Sequence, residues 1–365
     1  MSTNKNKNNL DLYFMNLALE QAKKMLGNTN VNPSVGCVLT KNNQVINAGT
    51  TSFNGRPHAE FNALKFNNEK NCNLYVTLEP CSHHGATPPC INIIIKNKIK
   101  KVFFSIKDPD KRSFNKSSSY LKKKGIKISV DLLNKEINNF YRSYIKSRKN
   151  VLPFVTSKMA ISKDFYTINN KKDWITNFFS RSRGHLLRSN HDCIITSSKT
   201  VIDDNPNLTC RIDGLENTSP TRVILDNKLK VPINSNILKN TLRYPTIIFY
   251  NKIMRKKIKT LNKMNIKTYQ TSVNDSNNLD LKKILIKLKS LGFCRILLEA
   301  GINLNSSFLK EDLIDDYKLF ISNKRLNSKG KGSFKSDYYL FLNKKKMFNE
   351  KVNLDGEKLI SISLK

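Results

Sequence analysis

A chain of 365 residues has room for two ordinary domains, each with its own core. Its 39% hydrophobic content suits a globular protein, and no stretch approaches the roughly 20 apolar residues of a membrane helix. The 64 Lys and Arg against 28 Asp and Glu leave a net charge of +36. The lysines are spread among Asn and Ile, as in Lys96-Asn97-Lys98-Ile99-Lys100-Lys101, and not gathered as a nucleic-acid surface requires. No specific nucleic-acid partner is expected, whereas the positive field favours phosphorylated small molecules. Residues 1–9 offer no apolar signal core, and the seven cysteines read as reduced thiols, so the expected compartment is the cytoplasm.

In chain order, the segment 12–25 opens a helical stripe of Leu12, Met15, Leu19, Ala22 and Leu26. Residues 35–39 and 44–48 read as a hairpin, 58–66 as a helix and 74–78 as a strand. Pro88-Pro89 is a helix-start signal for the run through Ile91, Ile94, Ile95 and Ile99. A strand follows at 102–106 and a basic helix at 137–150. A domain boundary after residue 150 divides the chain into 1–150 and 151–365. The second part continues as strand 154–158, helix 178–188, strands 193–196, 222–225 and 246–250, helix 279–291 and strand 295–298. Strand-like runs at 317–321, 338–342 and 359–363 have no helices between them, which predicts an α/β sheet finished by antiparallel edge strands.

The chemistry concentrates in His58-Ala59-Glu60 and in Pro80-Cys81 with Pro89-Cys90. One imidazole and two thiolates make three zinc ligands, leaving the fourth position open for water. Glu60, two residues after His58, turns away from the ligand set to act as acid and base. This is the donor set of zinc deaminases that act on bases. Both helix starts lend positive potential that favours thiolate. A closed structural site with His83 or His84 as fourth ligand is the alternative.

Eight residues separate the two cysteines, where most such deaminases have two. With that loop, Asn32-Pro33-Ser34-Val35-Gly36-Cys37 and Asp108-Pro109, the chain resembles the bifunctional deaminase/reductases of riboflavin biosynthesis. The resemblance implies an N-terminal cytidine-deaminase-like α/β/α sandwich, with zinc on His58, Cys81 and Cys90 and with Glu60 catalytic. The implied substrate is a diaminopyrimidinone carrying a phosphoribosylamino chain, with Asn32 on its pyrimidine side. Two family features are absent. Ala86 stands where the loop usually has Arg, and Phe114-Asn115-Lys116-Ser117 replaces a Gly-x-Gly.

The likeness extends into a second domain similar to dihydrofolate reductase. It is carried by Lys158 with Ser162-Lys163-Asp164, by Asp173-Trp174-Ile175-Thr176, and by the run from Ile195-Thr196-Ser197 to Asn207-Leu208-Thr209-Cys210-Arg211. It implies NADPH reduction of the ribosyl chain to ribityl. By position, Ala160, Trp174, Thr200, Asp204, Asn227 and Gly301 would contact NADPH. Lys172, Arg188, Leu208, Arg211 and Glu299 would line the substrate, with Arg188 and Arg211 toward its phosphate. Trp174 as simple core and the two arginines as solvated charges are the plainer readings. Phe165, Tyr166 and Lys172 depart from the family pattern and leave open a deaminase with a non-catalytic second domain. The resemblance also implies self-association through the reductase domain.

Overall fold

The computed structural model describes residues 2–169, 173–337 and 346–365, and the chain divides into two units, Met1–Asn150 and Val151–Lys365. The first runs α1 (Ser2–Lys23), β1 (Gly36–Lys41), β2 (Gln44–Thr50), α2 (Ala59–Leu64), β3 (Asn73–Leu78), α3 (Cys90–Lys96), β4 (Lys101–Ile106), α4 (Lys116–Lys123), β5 (Lys127–Val130) and α5 (Asn134–Lys149). The strand order is β2-β1-β3-β4-β5, with β1 antiparallel to both neighbours and β3, β4 and β5 parallel. β1, β3 and β4 are buried almost end to end, as in a sheet covered on both faces.

Two glycines show how the layers close. Gly36 pairs with Thr50 and Cys37 with Gly49, so the two glycines face opposite sides of the sheet. A Cβ on Gly36 would fall 1.8 Å from the Ala18 carbonyl oxygen in α1, and one on Gly49 would fall 2.3 Å from that of Ala59 in α2. Each helix is pressed onto a glycine, one on each face, and the unit is a cytidine-deaminase-like α/β/α sandwich.

The second unit contains β6 (Phe154–Ile161), β7 (Tyr166–Asn169), α6 (Phe178–Ser189), β8 (Cys193–Ser197), α7 (Ser198–Asp204), β9 (Thr221–Leu225) and β10 (Thr246–Tyr250). It continues with α8 (Arg255–Lys263), β11 (Lys267–Gln270), α9 (Leu281–Ser290), β12 (Arg295–Leu298) and α10 (Ile302–Lys310). The last strands are β13 (Asp316–Ile321), β14 (Gly330–Ser333), β15 (Lys346–Asn349) and β16 (Lys358–Ser363). The main sheet has the order β11-β10-β9-β8-β12-β6-β13-β16-β15, and β7 pairs with β14 apart from it. All strands from β11 to β13 are parallel. β16 pairs antiparallel with β13 and β15 and so ends the sheet as expected for the run 359–363. β13, the run 317–321, instead lies parallel to β6, and β15 is not among the expected strands. The run 338–342 lies outside the described residues.

Both faces of this sheet are cores. Along β8, β9, β10 and β12, residues alternate between one cluster holding Ile195, Val223, Phe249 and Leu298 and another holding Ile194, Ile224, Ile248 and Leu297. Helices α9 and α10 cover the first face through Ile284, Leu288 and Phe308, and α7 and α8 cover the second through Val201 and Leu261. β12 enters the sheet between β6 and β8, and this reversal of strand order is where open α/β sheets form a ligand crevice at the strands' carboxyl ends. Sequence periodicity missed α4, β5, β7, α7, α8, β11, α10, β14 and β15, which are too brief to carry a clear period.

Candidate zinc and reductase sites

His58 is the residue that caps the N-terminus of α2, and Cys90 is the first residue of α3. Cys81 lies in the loop after β3. Its sulfur accepts the Cys90 backbone N–H at 3.2 Å, so the start of α3 holds it directly. His58 Nδ1 stands 3.3 Å from Cys90 Sγ and 3.6 Å from Cys81 Sγ. The three donor atoms lie within 4.8 Å of one another. One nitrogen and two sulfurs so spaced suit a tetrahedral zinc ion with one position open. Hydrogen bonding with Cys90 and then with His58 lowers the Cys81 thiol to about 4. His83 and His84 are not in the group, and His83 Nδ1 is paired with Ser113 Oγ at 2.8 Å. That arrangement speaks against a closed four-ligand site.

Glu60 sits in the first turn of α2 and is 3% exposed. Burial, with the Cys81 charge beside it, pushes its carboxyl up to about 7. Asn32 is carried by the loop before β1, and its Nδ2 donates to the Gly55 carbonyl at 3.2 Å, next to the segment that leads into His58. Gly55 has φ +86°, and a Cβ there would fall 2.6 Å from Asn32 Nδ2, so glycine is required.

Two residues of this region escaped the sequence reading. Arg56 brings Nη1 to 3.4 Å from His58 Nε2 and also donates to Thr87 Oγ1 in the cysteine loop. Glu79 is buried and accepts from the Asp108 and Asn115 backbone N–H groups and from Ser117 Oγ, which ties down the loop after β4. The spacing of Arg56 from His58 is a faint signal; Glu79 has none beyond its place before Pro80-Cys81.

In the second unit the expected residues gather at the carboxyl ends of neighbouring strands. Lys158 and Ala160 lie on β6, and Thr200 lies in the first turn of α7, which Ser197 caps through the Thr200 N–H at 3.1 Å. Asn227 follows β9 and donates to the Asn277 carbonyl at 2.9 Å. Gly301 precedes α10, and a Cβ there meets nothing within 4 Å, so the mouth of β12 is open space. Glu299 lies beside it. Asp204 ends α7 on the exposed side. Trp174 is 67% exposed with Arg181 5.3 Å from its ring centroid, which excludes the core reading. Open space, a helix start and an exposed indole at one end of a doubly wound sheet fit a nucleotide of NADPH's size.

Arg188 grips Glu299 with two bonds, Nε at 2.9 Å and Nη2 at 2.8 Å, while Lys158 stands 3.5 Å from the same carboxylate. Burial pushes Glu299 up, but the Arg188 charge and then Lys158 outweigh it and hold the group well below the usual carboxylate range. Arg188 is thus engaged within the protein, and Arg211 is the exposed guanidinium of the pair. Leu208 is 4% exposed and belongs to the second core. Lys172 lies outside the described residues. Phe165 adopts φ +69°, the conformation a glycine takes freely, and packs its ring against the first core. Asp164 clamps the loop by accepting from the Leu326 and Asn327 N–H groups.

A His-Cys-Cys site with a free glutamate in one unit and a nucleotide crevice in the other define a zinc deaminase joined to a reductase. Residues 8–106 match the family described as cytidine and deoxycytidylate deaminase zinc-binding region, and residues 153–347 match the RibD C-terminal domain. The riboflavin biosynthesis protein RibD of Aquifex aeolicus is 37% identical over 322 residues, covering 86% of this chain and 87% of the relative. Among solved structures, RibD of Acinetobacter baumannii superposes with a TM-score of 0.84 at 29% identity, covering 98% and 99% of the two chains. A diaminohydroxyphosphoribosylaminopyrimidine deaminase/5-amino-6-(5-phosphoribosylamino)uracil reductase from Thermotoga maritima superposes at 0.83, also at 29% identity and with the same coverage. The chain belongs to the RibD family, the bifunctional deaminase/reductases of riboflavin biosynthesis. It acts on small-molecule pyrimidines, with zinc and NADPH as cofactors.

Proposed function

We propose that the chain deaminates 2,5-diamino-6-(5-phosphoribosylamino)pyrimidin-4-one and then reduces the ribosyl chain of the product to ribityl. The observation that carries this reading is the buried Glu60 beside the His58, Cys81 and Cys90 donor atoms. The Thermotoga relative, named for both reactions, supports the substrate. Bound zinc supplies a Lewis acid that lowers the pKa of its water toward neutrality. Glu60 takes one proton from the attacking water and passes it to the ring nitrogen, then takes the second from the hydroxyl of the adduct and delivers it to the amine as the C–N bond breaks and ammonia leaves. Asn32 orients the pyrimidine.

NADPH supplies the hydride for the ribose C1′. Ala160, Trp174, Thr200, Asp204, Asn227 and Gly301 hold the nucleotide, and Lys172, Leu208, Arg188, Glu299 and Arg211 hold the substrate, with Arg211 on its phosphate. The net charge of +36 favours such an anionic substrate, and no specific nucleic acid belongs to this reading. Seven free thiols and a need for NADPH suit the cytoplasm. Among the described residues no helix is long and apolar enough to cross a membrane. Self-association through the second unit is part of the same proposal, supported by the exposed Phe178 and Phe179, and sedimentation of the full chain tests it.

Product identification with and without NADPH tests the function. Deaminated product without NADPH and ribityl product with it are expected. Recovery of the starting diaminopyrimidine from both reactions would overturn the assignment.

A further inference from the structure

His185 lies one helical turn before Arg188 on α6, on the same face, and the mechanism above does not use it. Its Nδ1 is 3.0 Å from the Thr209 carbonyl oxygen and 3.3 Å from Arg188 Nη1, and its Nε2 is 3.2 Å from Arg211 Nη2. A carbonyl only accepts, and Arg188 Nη1 has that same carbonyl as its closer acceptor, so the hydrogen is assigned to Nδ1, donating to Thr209, which leaves the Nε2 lone pair for Arg211. Arg188 Nη1 donates to the same Thr209 carbonyl at 3.0 Å. Arg188 and His185 therefore converge on one acceptor. Burial, then the Arg188 and Arg211 charges, lower the imidazole to about 4, so it is uncharged at neutral pH. Lys158, Arg188 and Arg211 against Glu299 then leave two positive charges unbalanced, which matches a phosphate dianion.

We propose that His185 is a positioning residue of the reductase site: anchored on the Thr209 carbonyl, its imidazole holds the Arg211 guanidinium in place for the substrate's phosphate. Without that acceptor, Arg211 would be pushed away by Arg188 and lose its fixed orientation. The inference rests on the reading of Arg211 as the phosphate partner.

The test uses the full zinc-loaded chain with NADPH and two substrates, the deaminated pyrimidine with and without its phosphate. His185→Asn keeps a donor for Thr209 and removes the acceptor facing Arg211; His185→Gln places an amide oxygen near the Nε2 position. His185→Asn and His185→Ala should raise KM for the phosphorylated substrate about tenfold with little change in kcat, and leave the unphosphorylated substrate unaffected. His185→Gln should stay within about threefold of the parent. NADPH affinity reports folding of each variant, and if the alanine variant fails to bind it, the Asn and Gln comparison decides. Arg211→Ala separates the two levels. If Arg211→Ala discriminates between the substrates and His185→Asn does not, the positioning role is overturned while the function stands. If Arg211→Ala treats both substrates alike, the phosphate reading of Arg211 fails and the proposal falls with it.

Discussion

At the scale of single residues, Glu60 and Glu299 show how neighbours decide what a carboxyl does. Glu60 is buried among the zinc donors and raised toward neutrality, the condition for giving and taking protons. Glu60→Gln should keep zinc, read by metal content, and lower deamination at least about 10³-fold. Normal turnover by that variant would sink the assignment. Glu299 is held low by Arg188 and Lys158 and stays charged. Its folded-state pKa lies below the ~4.3 of the unfolded chain, so the stability it contributes is fully present above that pH and is lost as pH falls through the folded value. Glu299→Gln leaves two cations short of a partner. It should cost about 2–3 kcal/mol at neutral pH in urea unfolding, with a smaller deficit in acid.

At the scale of elements, the zinc site is a consequence of two helix starts and the glycine beneath one of them. The Cβ-free surface of Gly49 lets α2 lie directly on β2, and Asn47 Nδ2 donates to the Ala63 carbonyl at 2.9 Å to hold it there. Because α2 carries His58 at its cap and Glu60 in its first turn, displacing the helix moves both. Gly49→Ala should destabilise the fold by about 1–3 kcal/mol. It should also weaken zinc retention against a chelator, whereas a substitution on the exposed side of α2, at Phe61, should not. Unchanged zinc retention in the Gly49 variant would show that the helix position is not what sets the site.

At the scale of the whole molecule, the two chemistries rest on separate donor sets. Every zinc donor lies in Met1–Asn150, and every residue assigned to NADPH lies in Val151–Lys365. Metal binding is folding free energy for the unit that holds the ligands. Removing zinc should abolish deamination and lower the melting temperature of the first unit. Reduction of an already deaminated substrate should continue at its former rate. Loss of both activities on chelation would contradict that independence.

The sequence alone determined the zinc chemistry, because His58, Glu60, Cys81 and Cys90 are rare residue types at a spacing that few other arrangements use. It also determined the layered α/β plan, since short continuous apolar runs mark strands buried on both faces and the long helices carry a period of 3.6. The tertiary structure decided what periodicity and motif cannot hold. Arg56 reaches the cysteine loop, Phe165 turns into the core, and Arg188 belongs to Glu299 while Arg211 meets His185. Such pairings join residues 26 to 111 positions apart, and their partners are chosen by how the strand ends meet in space.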